Sequence, residues 1–212
     1  MKNGTIVNDF RIRQSIETIK KLLENNNKII IVSHLGRPTE GVYDESLSLK
    51  PICKYLSEFL NMNIKFFSSY EDKIKFEDYK IAMLENVRFN SGEKSCNSNL
   101  SKAYASLADH FIFDAFGVSH RKECTTYGVS DYLETHAGHN ISNEIATINK
   151  LIKENSKPMT IIISGAKVST KLIVIKKLLD KCDFMILGGG ILNTFLKAKG
   201  NEIGKSLYEK DL

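Results

Sequence analysis

Six basic side chains, Arg11, His34, Arg37, Arg88, His120 and Arg121, stand where the chain leaves an apolar run or enters a helical one. Arg37 follows IIIV (29–32), Arg88 follows IAML (81–84), and His120 with Arg121 follow FIF (111–113). In an open parallel sheet, the loops after the carboxyl ends of strands gather along one crevice, where ligands bind. Cations converging there without matching carboxylates would hold a small polyanion, since arginine presents a planar fork to phosphate or carboxylate oxygens.

The elements that would carry these residues alternate. A helix over 11–24 puts Ile12, Ile16, Ile19, Leu22 and Leu23 on one face, and Asn25–Asn27 end it. After the strand 29–32, Pro51 opens a helix repeating Ile52, Tyr55, Leu56, Phe59 and Leu60 at helical spacing. NIKFF (63–67), IAML (81–84), a helix over 100–108 and FIF (111–113) follow. Such alternation predicts an α/β fold: a parallel, doubly wound, Rossmann-like sheet whose strands are apolar because both faces are covered. A helix at 142–154, with Ile145, Ile148, Leu151 and Ile152 as its apolar positions, leads to Lys157–Pro158. TIII (160–163), a helix over 169–180, FMIL (184–187) and a helix opened by Gly188–Gly190 then begin a second α/β unit. The expected division is a first domain over 1–141, a connecting helix and linker over 142–158, and an incomplete second domain over 159–212.

Composition narrows the function. The chain has 212 residues and a net charge of +5, with no run of like charges or basic–aromatic interleaving that would suit nucleic acid. No stretch approaches the roughly 18 apolar residues of a membrane span, and MKNGTIVNDF lacks a signal-peptide core. Cys53, Cys96, Cys124 and Cys182 form no paired motif, which suits reduced thiols in the cytoplasm.

Each motif also has a bland reading. SHLGRP (33–38) can be a plain turn with solvated side chains, and DAFG (114–117) resembles a protein-kinase DFG only superficially, so Asp114 is assigned to fixing its loop. SGAKVSTK (164–171) joins a strand to a helix, where backbone N–H groups favour phosphate and Lys167 and Lys171 would share a helical face. Gly188, Gly189 and Gly190 permit close backbone approach, without dinucleotide spacing. Gly200–Ser206 falls one residue short of a Walker A loop and is rejected. His110, His136 and His139 show no metal-like spacing with carboxylates or cysteines, so no metal site is expected from the sequence.

Taken together, FRIR (10–13), SHLGRP (33–38), LENVRFNSGEK (84–94), DAFGVSHR (114–121), SGAKVSTK (164–171), GGGILNTF (188–195) and GKSLYEKDL (204–212) resemble phosphoglycerate kinase. The resemblance implies a two-domain kinase exchanging a phosphoryl group between 1,3-bisphosphoglycerate with MgADP and 3-phosphoglycerate with MgATP, in glycolysis. It implies that Arg11, His34, Leu35, Gly36, Arg37, Arg88, His120 and Arg121 bind phosphoglycerate, with Arg11 beside the transferring group. Lys167 would neutralise that group, Lys171 would meet the nucleotide phosphates, and Gly188–Gly190 would underlie adenine. ATP or ADP with Mg²⁺ is the implied cofactor, and catalysis would consist of positioning, charge neutralisation and water exclusion by domain closure. The expected partners are these small molecules, with no nucleic acid or membrane, on a monomeric full-length enzyme.

Three departures matter. The family's Asp-x-Asn-x-Pro first strand and the later loops for ribose, phosphates and Mg²⁺ have no counterpart, so the sequence reads as cut at both ends. NGT (3–5) would be the return of a turn, and two strands with two helices would not close a core of their own. An inactive fragment is the expectation, with a non-catalytic anion-binding module or half of a split enzyme as alternatives. Ser164 replaces a usual glycine, and Glu123 stands where relatives carry His or Gln, a carboxylate that would repel a polyanion there unless it turns outward.

Overall fold

The computed structural model describes residues 5–153 and 157–211, the side chains of 152 and 153 apart. Residues 3 and 4 of the expected turn, the apolar role of Ile152, linker residues 154–156 and Leu212 of the last motif therefore lie outside the described residues. The chain divides into two compact units, Met1–Ile145 and Ala146–Leu212.

In the first unit, α1 (Phe10–Glu24) buries Ile16 and Ile19 and gives way at Asn25–Asn27, where Asn26 takes a positive φ of 58°. β1 (Ile29–Ile31), α2 (Lys50–Leu60), β2 (Ile64–Phe67) and β3 (Ile81–Leu84) follow. Pro51 sits in the first turn of α2, and Asn61 closes that helix in the left-handed conformation. The strands pair in parallel in the order β1-β3-β2, and central β3 is buried along its whole length. Ile16, Ile19, Ile29, Leu49, Cys53, Leu56, Ile64, Ile81 and Met83 form the core between helices and sheet.

Asn97 caps α3 (Ser98–Ala105), accepting from the backbone N–H groups of Asn99 and Leu100. β4 (His110–Phe113) follows, then β5 (Glu134–Ala137), and α4 (His139–Lys153) runs across the division between the units. β5 carries no apolar run and is exposed throughout; parallel pairing with β4 makes it a strand. The three strand exits therefore do not share one sheet, because among the described residues no ladder joins β4–β5 to β1-β3-β2.

Asp114, just past β4, takes the structural role expected of it. Its carboxylate accepts from the Thr18 hydroxyl on α1 at 2.6 Å, from Asn140 Nδ2 at 2.7 Å and from the Ile141 N–H at 3.1 Å. Even a methyl group on Gly138 would lie 2.3 Å from that carboxylate.

The second unit contains β6 (Thr160–Ser164), α5 (Leu172–Leu179), β7 (Phe184–Gly188) and α6 (Gly189–Ala198), with the two strands parallel. It does assemble a small cluster of Ile163, Val168, Ile175 and Ile191 on one face of the sheet. Ile162, Phe184 and Ile186 on the other face are exposed at 72%, 63% and 52%. Coverage on both faces thus holds for β3 and not for β6 and β7. The second unit's core is one-sided.

Removing the Asp114 carboxylate should loosen the tie between α1, β4 and α4. Asp114→Ala is expected to cost about 2–4 kcal/mol, since charged hydrogen bonds contribute about 1.5–3 kcal/mol each and are not additive. Urea unfolding followed by tyrosine fluorescence measures it, with Asp114→Asn retaining part of the loss.

Candidate functional site

The site in the first unit is built from the loop after β1, the loop after β3 and the segment after β4. Gly36 in the first loop adopts φ 65°, and a Cβ there would lie 2.7 Å from the Leu47 side chain, so the turn requires glycine. Buried Asn86 braces this loop from the β3 side, donating to the Leu35 carbonyl at 2.8 Å and the Leu47 carbonyl at 2.9 Å. Glu85 accepts from the Ser48 hydroxyl and the backbone N–H groups of Leu49 and Asn86.

Arg88 then fastens the three pieces together. Its Nη1 donates to the Gly36 carbonyl at 2.9 Å, and its Nη2 lies 3.2 Å from Glu123 Oε2. Glu123 in turn meets Arg121 Nη1 at 3.4 Å. The Arg88 and Glu123 side chains are 6% and 8% exposed, and among the described residues the buried Nε atoms of Arg88 and Arg121 have no hydrogen-bond partner. The expectation of cations without a matching carboxylate is therefore corrected, and Glu123 turns inward onto Arg88. A buried guanidinium is too costly without a counter-charge, and Glu123 supplies it.

The other expected residues fall around this pair. His34 is half-buried, and its imidazole is held below the ordinary 6.5, first by burial and then by the charges of Arg88, Arg121 and Arg11, against an opposing pull from Glu123. Arg11, His34, Arg88 and Arg121 thus share one electrostatic neighbourhood. Arg11, Arg37 and His120 are exposed and make no hydrogen bond or ion pair among the described residues, which leaves their charge for a ligand. Leu35 and Gly36 contribute backbone carbonyls to the loop's bracing.

Glu93 lies close by and escaped the sequence reading, because nothing in its spacing signals burial. It is 0% exposed, accepts from the hydroxyl and backbone N–H of Thr125, and has one oxygen without a partner. Burial pushes its carboxyl up to about 7 against those Thr125 hydrogen bonds.

In the second unit, the turn after β6 differs from expectation. Val168 to Lys171 forms a turn closed by a 2.8 Å backbone bond, and α5 begins only at Leu172. Lys167 and Lys171 therefore do not share a helical face. Lys171, at the N-cap, donates its ammonium to the Ser164 carbonyl at 2.6 Å, and Lys167 is exposed. The glycines serve close packing: a Cβ on Gly190 would lie 2.4 Å from the Ala166 carbonyl oxygen, and Gly189 has φ 62°. Ser164 Oγ would stand 3.1 Å from a Cβ on Gly188, so the serine lies directly over that glycine. Glu209 reaches back to accept from the Ser169 N–H and hydroxyl at 2.9 and 2.6 Å.

Mg²⁺ needs a cage of hard oxygen ligands. Among the described residues, the one trio of potential ligands is His110, Glu134 and His136 in the first unit, two-thirds nitrogen and unsuited to that ion.

A parallel α/β unit with cations grouped after its strands, followed by a second parallel α/β unit, defines an α/β, Rossmann-like architecture. The family model described as phosphoglycerate kinase matches residues 1–212, and the chain belongs to that family. It is 48% identical over 213 residues to the phosphoglycerate kinase of Francisella tularensis subsp. novicida strain U112, covering 100% of this chain and 54% of that protein. The Francisella philomiragia protein of the same name is 45% identical with the same coverage. The solved phosphoglycerate kinase of Coxiella burnetii superposes with a TM-score of 0.86 at 42% identity, covering 100% of this chain and 54% of that one. That of Pyrococcus horikoshii OT3 gives 0.82 at 26% identity, with coverages of 96% and 53%. The chain spans about half the length of the curated relatives it matches.

Two outcomes follow from the buried carboxylates. Glu123→Gln keeps the shape but removes the counter-charge of buried Arg88, so stability should fall by about 2 kcal/mol, which urea unfolding measures. For Glu93, the folded value lies above the ordinary 4.5, so its protonated form contributes stability below pH 4.5. That contribution, up to about 3 kcal/mol, is lost as pH rises toward 7. Glu93→Gln should flatten the stability profile between those two pH values and leave the variant more stable at pH 8, which melting curves across that range would show.

Proposed function

We propose that this chain is the phosphoglycerate-binding half and the opening of the nucleotide-binding half of a phosphoglycerate kinase. The reaction is phosphoryl transfer between 1,3-bisphosphoglycerate with ADP and 3-phosphoglycerate with ATP, in the glycolytic sequence of the cytoplasm. The observation that carries the reading is Arg88, which ties the loops after β1, β3 and β4 into one pocket by bonding Gly36 and Glu123. Family membership adds the choice of ligand. Among the described residues, no helix is long and apolar enough to cross a membrane.

In this reading Arg37, His120 and Arg121 hold the phosphate and carboxylate of phosphoglycerate, and Arg11 and His34 lie beside the reacting end. Burial and neighbouring cations keep His34 neutral in the free protein, so it offers one N–H and one lone pair. Arg88 acts mainly by holding the loops, because two of its donors are already engaged by the protein.

Lys171 keeps donors in reserve beyond its bond to Ser164, and it would meet nucleotide phosphates while exposed Lys167 neutralises the transferring group. Gly188–Gly190 would lie beneath adenine. Mg²⁺, when bound with the nucleotide, supplies charge neutralisation at its phosphates. The acyl phosphate is already reactive, so the protein's share is positioning and electrostatic stabilisation.

The test is calorimetric titration of 3-phosphoglycerate onto the chain. Arg37→Ala and Arg121→Ala should each weaken binding by about tenfold or more, the cost of ~1.4 kcal/mol or more per lost charged contact. Binding unchanged in both variants, or no binding to the unaltered chain, would contradict the assignment.

A further inference from the structure

We propose that His110, Glu134 and His136 form a surface site for one borderline divalent transition-metal ion of the Zn²⁺ type, clipping β4 to β5. The placement comes first from the backbone. In the parallel register, His110 lies opposite Glu134 and Ile112 opposite His136. Side chains alternate along a strand, so His110, Glu134 and His136 project from the same face. Neighbouring strands are about 4.8 Å apart and residues two apart along a strand about 6.6 Å, which sets the three Cβ atoms in a compact triangle.

The side chains converge from there. Glu134 Oε2 is 3.8 Å from His110 Nδ1, and Glu134 Oε1 is 3.5 Å from His136 Nε2. One ligand atom from each residue lies within 4.8 Å of the other two, and the imidazole centroids are 5.6 Å apart. Ligands at about 2.0–2.2 Å from one ion in tetrahedral arrangement stand about 3.3–3.6 Å from each other. Modest rotation of exposed side chains closes the remaining difference.

The donor set decides the class of ion. Two imidazoles and one carboxylate suit Zn²⁺, Ni²⁺ or Cu²⁺, whereas Mg²⁺ and Ca²⁺ prefer oxygen alone. Three protein ligands leave the remaining coordination positions to water. The site is separate from the cationic pocket: His110 and Glu134 begin their strands, while Asp114 to Arg121 lie past the carboxyl end of β4. Among the described residues, neither ring makes a hydrogen bond through its other nitrogen, so the ligands lack the outer support that tightens metal binding. Affinity on the order of micromolar is therefore expected rather than that of a buried structural zinc. An ion held by both strands binds only the folded pair and should stabilise it by mass action.

The experiment is calorimetric titration of the tag-free chain with ZnCl₂, alongside the absorption spectrum of its Co²⁺ form. One ion per chain is expected, a higher melting temperature in its presence, and a cobalt spectrum without a thiolate charge-transfer band. His136→Ala and Glu134→Gln should each weaken binding by more than about tenfold, because each removes a primary ligand. His139→Ala, which alters a histidine engaged by Lys21 and Asn143, should leave binding unchanged. Millimolar Mg²⁺ should fail to compete. No saturable Zn²⁺ binding, or full binding retained in a His110→Ala/His136→Ala chain with unchanged circular dichroism, would overturn the proposal. So would a thiolate band in the cobalt spectrum or displacement by Mg²⁺.

Discussion

The buried ion pair between Arg88 and Glu123 is the constraint on which the rest of the pocket depends. Two side chains less than a tenth exposed carry opposite charges 3.2 Å apart, and the arginine also holds the Gly36 carbonyl. Breaking a buried pair by removing one partner is far costlier than the pair's net contribution to stability. Its consequence is chiefly one of arrangement. Three chain segments that, among the described residues, no single sheet aligns are held in register by one guanidinium.

The same pair sets the electrostatics. The cluster of cations carries an internal carboxylate, so its field is weaker than its count of arginines suggests. Glu123 offsets part of the positive potential that otherwise depresses His34. A free protein with paired arginines avoids like-charge repulsion between Arg88 and Arg121. Arg121, 38% exposed, reaches Glu123 from the half-exposed side, while Arg88 is held on the buried side by Gly36 and Glu123.

Much of this fold is legible in the sequence because its carriers are local. IAML becomes β3, buried along its whole length as a continuous apolar run requires, TIII and FMIL form strands that keep one face exposed, and Pro51 marks the start of α2 by backbone chemistry. β5 is not legible: ETHA has no apolar period, and its pairing with β4 is a contact between distant segments. For the same reason His110 and His136 read as unrelated surface histidines, although parallel register sets them around Glu134. Arg88 and Arg121 are legible as cations after strands, and the burial of Arg88 and their shared partner are not. Glu123 shows why: the charge of one residue can be read, but the direction it faces is settled by what else is buried beside it. The lysines after β6 went the other way, with local helical spacing overruled by a turn that delays α5 to Leu172.

The account makes the pocket a product of one coupled pair, and a double-mutant cycle over Arg88→Lys and Glu123→Gln tests that most directly. Affinity for 3-phosphoglycerate and the urea midpoint are measured for the four chains. If the pair organises the loops, the two substitutions should be non-additive in both quantities, with a coupling of about 1 kcal/mol or more. Additive effects within about 0.3–0.5 kcal/mol would show two independent residues and contradict the account.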